Sequence, residues 1–276
     1  ARRLIRRVEP AAVVGFAGYP ALPTMLAAIT LSVPRMVHEQ NAVLGKVNRL
    51  LAARVDAIAP SFPVTKALPE NGHQPKLVTG NPVRDEVRDL AAQPYEPPGA
   101  DQPFELLIFA GSQGARGFSQ IIPRALLDLP EEQRRRLRVV QQCRSEDLDL
   151  VRWVYDGAGI AAETAVFFTD LPARLATAHL VIARAGAGTV SELAVAGRPS
   201  VLVPYPHATD DHQSRNAEVL SSAGGAWVLA EADGMAARLT ARLMKLMAEP
   251  ELLRDAARAA RGKGQPNAAA LLADVV

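Results

Sequence analysis

Short apolar runs alternate along this chain with stretches in which apolar residues recur every three or four positions. The runs predict strands, and the longer amphipathic stretches predict helices. In the first third, strands are predicted at Ala12–Val14, Arg35–Val37, Ala57–Ala59 and Leu77–Thr79, with helices over Thr24–Thr30 and Gly45–Ala53. Further on, strands are predicted at Phe104–Phe109, Arg138–Gln141, Ala165–Phe168, Leu180–Ala183, Ser200–Val203 and Ala226–Val228. The clearest helices there are Ser191–Ala196 and Gln213–Ser222. The tail from Met235 to Val276 reads as helix, broken at Pro250 and at Gly262–Gly264. Alternation of this kind predicts an α/β protein with parallel sheets. Between the two series lies Asp89–Asp101, a turn-rich linker carrying Pro94, Pro97, Pro98 and Gly99. The expected architecture is two doubly wound domains, 1–88 and 102–262, with a ligand cleft between them. The chain begins with Ala1–Pro10, which reads as the end of a helix, so the first domain is expected to be incomplete at its start.

Four glycine-rich turns follow apolar runs: Gly15–Pro20, Gly80–Arg84, Gly111–Arg116 and Arg184–Glu192. None has the dinucleotide fingerprint G-x-G-x-x-G or the phosphate loop G-x-x-x-x-G-K-[ST], so a Rossmann dehydrogenase and a P-loop NTPase both fit poorly. Their common feature is position, since ligands of open parallel sheets bind beyond the carboxyl ends of the strands. In the last turn, small residues let a backbone come close to a ligand, and the N–H groups at a helix start favour an anion such as a diphosphate. Thr189 and Ser191 are candidate helix caps, and Glu192 is expected in the first turn of the helix. There it either accepts hydroxyl hydrogen bonds from a sugar or merely complements the helix dipole.

Two polar clusters carry further candidate chemistry. His38-Glu39-Gln40-Asn41 follows a predicted strand: His38 is a candidate proton relay and Asn41 a phosphate or hydroxyl ligand, or the four form a plain polar turn. In His207-Ala208-Thr209-Asp210-Asp211-His212-Gln213, the residue types suggest a metal. With no third histidine or thiolate arm near, the aspartates are better read as helix caps and Gln213 as facing the cleft. Arg84 is a candidate phosphate fork at the domain junction. Arg116 opens a helix, where a bound anion would offset the unfavourable dipole.

Composition adds limits. Hydrophobic residues are 49% and charged residues 22% of 276, the balance of a globular protein. The net charge of +2 gives no support to nucleic-acid binding. Cys143 alone excludes a disulfide scaffold and a thiolate zinc site and suits a reducing compartment. Four arginines among the first seven residues, with no apolar core behind them, are not the pattern of a secretory leader.

Taken in order, GFAGYP, HEQN, GNPVR, FAGSQGAR, FFTD, RAGAGTVSE, VPYPHATDDHQ and the later Asn216-Ala217 resemble one family over nearly the whole chain. It is the bacterial lipid-linked N-acetylglucosaminyltransferase family of peptidoglycan synthesis. The resemblance implies the GT-B architecture, two Rossmann-like domains, with a helix at 263–276 returning to the first. It implies inverting transfer of N-acetylglucosamine from UDP-N-acetylglucosamine to undecaprenyl-pyrophosphoryl-N-acetylmuramoyl-pentapeptide (lipid I), which makes lipid II. Neither a cofactor nor a metal is implied. The implied setting is peripheral, on the cytoplasmic side of the inner membrane, with the membrane surface and other cell-wall and division proteins as partners. Donor contacts are implied at Asn41, Arg84, Ser112, Thr169, Ala187, Gly188, Thr189, Val190, Ser191, Glu192 and Gln213, with Glu192 on the ribose and Gln213 on the sugar. His38 and Glu39 are the candidates for the base. Ala17 and Ala110 stand where the family usually has glycine. The family's first strand and first glycine-rich loop, which ends in a histidine, have no counterpart in these residues, so the donor half is expected to be more complete than the acceptor half. The alternatives are a UDP-sugar-binding remnant without turnover, or another UDP-sugar enzyme of the same fold, such as an epimerase or a soluble-acceptor transferase.

Overall fold

The computed structural model describes residues 1–69, 73–111 and 116–276. The first unit runs α1 (Arg2–Val8), β1 (Val13–Gly15), α2 (Leu22–Thr30), β2 (Arg35–Glu39), α3 (Lys46–Leu51), β3 (Ala57–Pro60) and α4 (Asp85–Arg88). Its three strands form a parallel sheet in the order β1-β2-β3. Leu77–Thr79 is not a strand of this sheet. It sits beside β3 through a single bridge, Ile58 with Lys76, and through Leu77 N–H to Ile58 O (3.0 Å) and Thr79 N–H to Pro60 O (3.2 Å). Pro75, which has no N–H, and Gly80, at φ +82°, bound the run on either side.

The second unit runs β4 (Phe104–Phe109), α5 (Arg116–Leu127), α6 (Glu131–Arg136), β5 (Leu137–Gln142), α7 (Leu148–Gly157), β6 (Ala161–Ala165) and α8 (Leu171–Thr177). It continues with β7 (Leu180–Ala183), α9 (Ala187–Ala196), β8 (Ser200–Leu202), α10 (His212–Ser221), β9 (Ala226–Val228), α11 (Met235–Ala248), α12 (Pro250–Arg261) and α13 (Ala268–Val275). All six strands are parallel, in the order β6-β5-β4-β7-β8-β9. This is the doubly wound order 3-2-1-4-5-6, and the chain reverses direction across the sheet between β4 and β7. Helices cover both faces, so the central strand β7 is apolar throughout, and its Leu180, Val181, Ile182 and Ala183 are completely buried.

The outermost strand β6 lies earlier than the apolar pattern predicts. Ala161–Ala165 pairs with Arg138–Gln142 of β5, and the apolar Val166–Phe168 has already left the sheet. An edge strand with one face in water needs no apolar run. Phe168 packs instead beneath the Arg174 guanidinium, 4.1 Å from its ring centroid.

The two units share packed surface. Ala42 and Phe62 of the first join the core built on α9 and α10, as do Val87 of α4 and Leu90 just after it. The predicted linker thus begins with a helical turn that buries Leu90. The last helix crosses back, so that Leu272 and Val275 pack on Met36, Ala59, Val14 and Ala57 of the first sheet. Its approach is tight. A Cβ on Gly80 would come within 2.7 Å of the Gln265 side chain, and one on Gly264 within 2.8 Å of Ala194 O.

Candidate active site

At the carboxyl ends of β4 and β7, the crevice opens into a cavity of about 1030 Å³. Ala110 and Gly111 come from the end of β4, Arg184 and Gly186 from the end of β7, and Thr189 from α9. Gly111, at φ +84°, makes the sharp exit from β4 that a side chain would disfavour. Three guanidinium groups, those of Arg116, Arg144 and Arg184, line the cavity together with Glu231. Arg184 is nearly buried between the rings of Phe118 and Tyr205, 4.8 and 5.5 Å from the centroids. It donates to Val203 O and Pro204 O (3.2 Å each) and pairs with Glu231 at 2.5 Å. Arg144 pairs with Glu146.

Helix α9 begins at Ala187, four residues before the predicted start, with Gly186 as its N-cap. This moves several candidates. Thr189 and Ser191 are inside the helix and cap nothing, and Glu192 lies in the second turn, not the first. The first-turn N–H groups of Ala187, Gly188 and Thr189 have no intrahelical acceptor. Val190 is completely buried and its N–H already bonds Gly186 O (2.9 Å). The Ser191 hydroxyl bonds Ala187 O (2.9 Å). Val190 and Ser191 therefore hold the helix, which leaves Ala187, Gly188 and Thr189 as the candidates to meet an anion.

Gln213, in the first turn of α10, lines the cavity, and its Oε1 accepts from Tyr205 N–H (2.9 Å), which leaves its NH₂ group to donate. The aspartates before it are not side-chain caps. Asp211 accepts from the Ser214 hydroxyl (2.6 Å), and Asp210 pairs with Arg49 of α3 in the other unit. His207 packs edge-on to Tyr205, and His212 Nδ1 lies 2.7 Å from Thr209 O. Among the described residues, no three His, Cys, Asp or Glu side chains gather as a metal-holding group. Thr169 sits on an exposed turn before α8 and does not line the cavity. Ser112 lies outside the described residues.

The HEQN turn is built inward. Glu39 is completely buried. Its carboxylate accepts from Asn41 N–H (3.0 Å), Gly45 N–H (2.8 Å), Asn48 Nδ2 (2.9 Å) and Asn41 Nδ2 (3.3 Å). Four N–H donors occupy both oxygens, so Glu39 organises the turn and the start of α3 and is not an open base. His38 is also completely buried. Its Nε2 lies 3.0 Å from Gly80 O and 3.3 Å from the Ser61 hydroxyl, while Nδ1 has no partner. Burial holds its imidazole below the ordinary value of 6.5, against opposing pulls from Gly80 O and the Glu39 charge. Neither candidate base presents a free lone pair to the cleft in this conformation.

Two candidates meet each other across the units, with Arg84 Nε donating to Glu192 Oε1 at 3.0 Å. Asn41 meets a residue whose role the sequence did not reveal. Asn216 of α10 is completely buried, accepts from Ala42 N–H (2.8 Å) and donates to Asn41 Oδ1 (3.1 Å) and Ala185 O (3.0 Å). One amide thus joins the HEQN turn to the β7–α9 loop. Arg144, Tyr205 and Glu231 were also missed as cleft residues. Each follows shortly after the carboxyl end of β5, β8 or β9, and that position was a sequence signal for all three, to which Tyr205 adds its place in the VPYPHATDDHQ motif.

Comparison with known proteins fits this geometry. The model of the glycosyltransferase family 28 N-terminal domain matches residues 1–60, and that of the family's C-terminal domain matches residues 105–272. The chain belongs to glycosyltransferase family 28. It is 51% identical over 277 residues to the UDP-N-acetylglucosamine–N-acetylmuramyl-(pentapeptide) pyrophosphoryl-undecaprenol N-acetylglucosamine transferase of Brucella abortus, covering 99% of this chain and 72% of that one. The protein of the same name in Rhodospirillum centenum is 51% identical over 276 residues, covering 100% and 73%. The crystal structure of Acinetobacter baumannii MurG superposes with a TM-score of 0.83 at 33% identity, covering 100% of this chain and 76% of that one. A UDP-GlcNAc 2-epimerase from Neisseria meningitidis shares only the fold, with a TM-score of 0.66 at 13% identity, covering 99% and 77%. The crevice at the ends of β4 and β7 is the candidate active site of this family 28 glycosyltransferase.

Proposed function

We propose that this enzyme transfers N-acetylglucosamine from UDP-N-acetylglucosamine to the lipid-linked acceptor lipid I, with inversion at the anomeric carbon, and so forms lipid II. The observation that supports the donor half is the switch-point crevice, where three guanidiniums meet Gly186 and Thr189 at the start of α9, a helix end whose first N–H groups have no intrahelical acceptor. In the reaction an acceptor hydroxyl gives up its proton to a general base and attacks the anomeric carbon, the bond from that carbon to the diphosphate oxygen breaks, and negative charge builds on the departing UDP. Preorganised N–H donors and cations are worth most where such charge develops. Glu192 takes the ribose hydroxyls once Arg84 lets go of it, and Arg84 then turns to the diphosphate. Gln213 bonds the sugar through its free NH₂ group. Asn41 shapes the donor site through Asn216.

The acceptor is lipid-linked, and the reading places the enzyme on the cytoplasmic face of the inner membrane as a peripheral protein. No helix among the described residues is long and apolar enough to cross a membrane, which by itself says nothing of where the protein sits. One observation supports the peripheral placement. Helix α1 exposes Leu4 and Val8 beside Arg2, Arg3, Arg6 and Arg7, a basic amphipathic surface of the kind that lies on anionic lipid.

Calorimetric titration with UDP-N-acetylglucosamine and with an ADP-sugar tests the donor assignment. The uridine compound should bind more tightly, and its binding should survive EDTA because the guanidiniums and N–H groups do the neutralising. Equal binding of the ADP-sugar removes the uridine assignment. Loss of binding in EDTA, restored by a divalent cation, replaces the cation-free reading. Transfer of labelled N-acetylglucosamine to a short-chain lipid I analogue tests the acceptor.

A further inference from the structure

A second cavity, of about 730 Å³, lies at the junction of the two units and shares no lining residue with the donor crevice. One wall is the loop after β3 together with the stretch before Gly80. The other is formed by faces of α9 and α10 that turn away from the donor side, and Gly262–Gln265, between α12 and α13, closes one end. Thr189 and Gln213 look into the donor crevice, whereas Val195 of α9 and Val219 of α10 look into this one. The Asn216 amide, bonded to Ala42 and to Ala185 O, stands near the boundary between them.

The lining has two chemical parts. Phe62, Val64, Val78, Val195 and Val219 make an apolar body. Val64 is 78% exposed and Val78 46% exposed, so these side chains contact water that a ligand would displace. Lys66, Lys263 and Arg215 supply three cations against one carboxylate, Glu218. That carboxylate is already paired with Arg215 at 2.8 Å. Among the described residues, neither lysine has an acidic group within salt-bridge distance. The volume is within the range of about 300–1,000 Å³ usual for small-molecule sites, and domain junctions are a preferred place for them.

We propose that this junction cavity is a second ligand site that takes a single-chain anionic amphiphile, an alkyl or acyl body with a phosphate or carboxylate head. The apolar walls take the chain, and Lys66 and Lys263 take the head. The assignment does not rest on the transferase reading, because it uses no residue of the donor crevice.

The test uses the whole chain and decyl phosphate below its micelle concentration, titrated by calorimetry with and without saturating UDP. One decyl phosphate per chain should bind, and UDP should not displace it. The Lys66→Glu, Lys263→Glu double variant should weaken binding at least about tenfold, or about 1.4 kcal/mol. Val219→Trp, which fills the apolar body, should do the same, with UDP binding in each variant reporting that the fold is intact. The lysine changes are on exposed side chains, so the charge arm stands even if the tryptophan variant does not fold. Displacement by UDP would place the amphiphile in the donor crevice and overturn the proposal. So would unchanged affinity in the lysine variant, equal binding of neutral decyl maltoside, or equal binding of inorganic phosphate alone.

Discussion

Asn216 offers the sharpest test of how the two units are held around the cleft. Its carboxamide satisfies Ala42 N–H at 2.8 Å, Ala185 O at 3.0 Å and Asn41 Oδ1 at 3.1 Å, and Ala42 and Ala185 are 3% and 0% exposed. Asn216→Ala strands one buried donor and one buried acceptor of the backbone. A buried group left without its partner costs about 1–3 kcal/mol, so the loss should be about 2–6 kcal/mol if the junction stays closed. The junction can instead open and let water in. The cost is then capped by the apolar contacts of Ala42 and Phe62 with the α9–α10 core. Asn216→Asp separates polar pinning from mere filling of space. It keeps an acceptor for Ala42 N–H but sets a carboxylate against two oxygens, so it should be nearly as damaging as alanine despite its matched size. The assay is urea unfolding with the slope recorded, alongside UDP titration. Both variants should be destabilised by more than about 2 kcal/mol, or should show a split transition with weaker UDP binding. If both stay within about 0.5 kcal/mol of the parent, the range of ordinary surface changes, with UDP affinity intact, the pinning argument is wrong.

Other expectations follow from single observations. Glu192→Gln should raise the Kd for UDP at least about tenfold, since charge-assisted hydrogen bonds are worth about 1.5–3 kcal/mol each; the freed Arg84 offsets part of this, and an unchanged Kd would leave Glu192 as only a partner of Arg84. His179 accepts from Glu105 N–H at 2.9 Å, and burial, helped by Arg198 and Arg136, holds its imidazole below 6.5. His38 is depressed by burial as well. The unfolded chain therefore binds protons first, and stability present above about pH 6.5 should be lost as pH falls below it. His179→Asn, which keeps an acceptor near Nδ1, should flatten that slope in denaturant titrations at several pH values; an unchanged slope would clear His179 of the effect. Ala17 holds a left-handed φ of 57°, a conformation that costs a side chain about 1–2 kcal/mol. Ala17→Gly should therefore raise stability by about 0.5–1 kcal/mol after the extra freedom of glycine in the unfolded chain is subtracted, and a lower thermal midpoint would refute the strain.

Much of this protein was legible in its sequence because the relevant physics is local. Apolar runs such as Leu180–Ala183 must be buried on both faces, so they announce central parallel strands, and alternation with amphipathic stretches announces the doubly wound class. The glycine-rich turns after those strands located the crevice, since a ligand in such a sheet meets the chain where strands end. Gln213, which lines the crevice, was readable for that reason, whereas Arg84 and Glu192 bond each other and do not line the cavity. Only the tertiary structure decided what these groups do to one another. The edge strand β6 carries almost no apolar signal, so its register came from pairing with β5. Val190 and Ser191 share a motif with Gly188 and Thr189, but the turn of α9 sends them to the core and to Ala187 O. Glu39 looked like a free carboxylate until the fold wrapped four N–H groups around it. Asn216 lies more than 170 residues from Asn41, with which it shares a hydrogen bond. A contact over that separation has no periodicity and no local propensity to reveal it. It exists because the two sheets pack, and burial then demands a partner for each polar group they enclose.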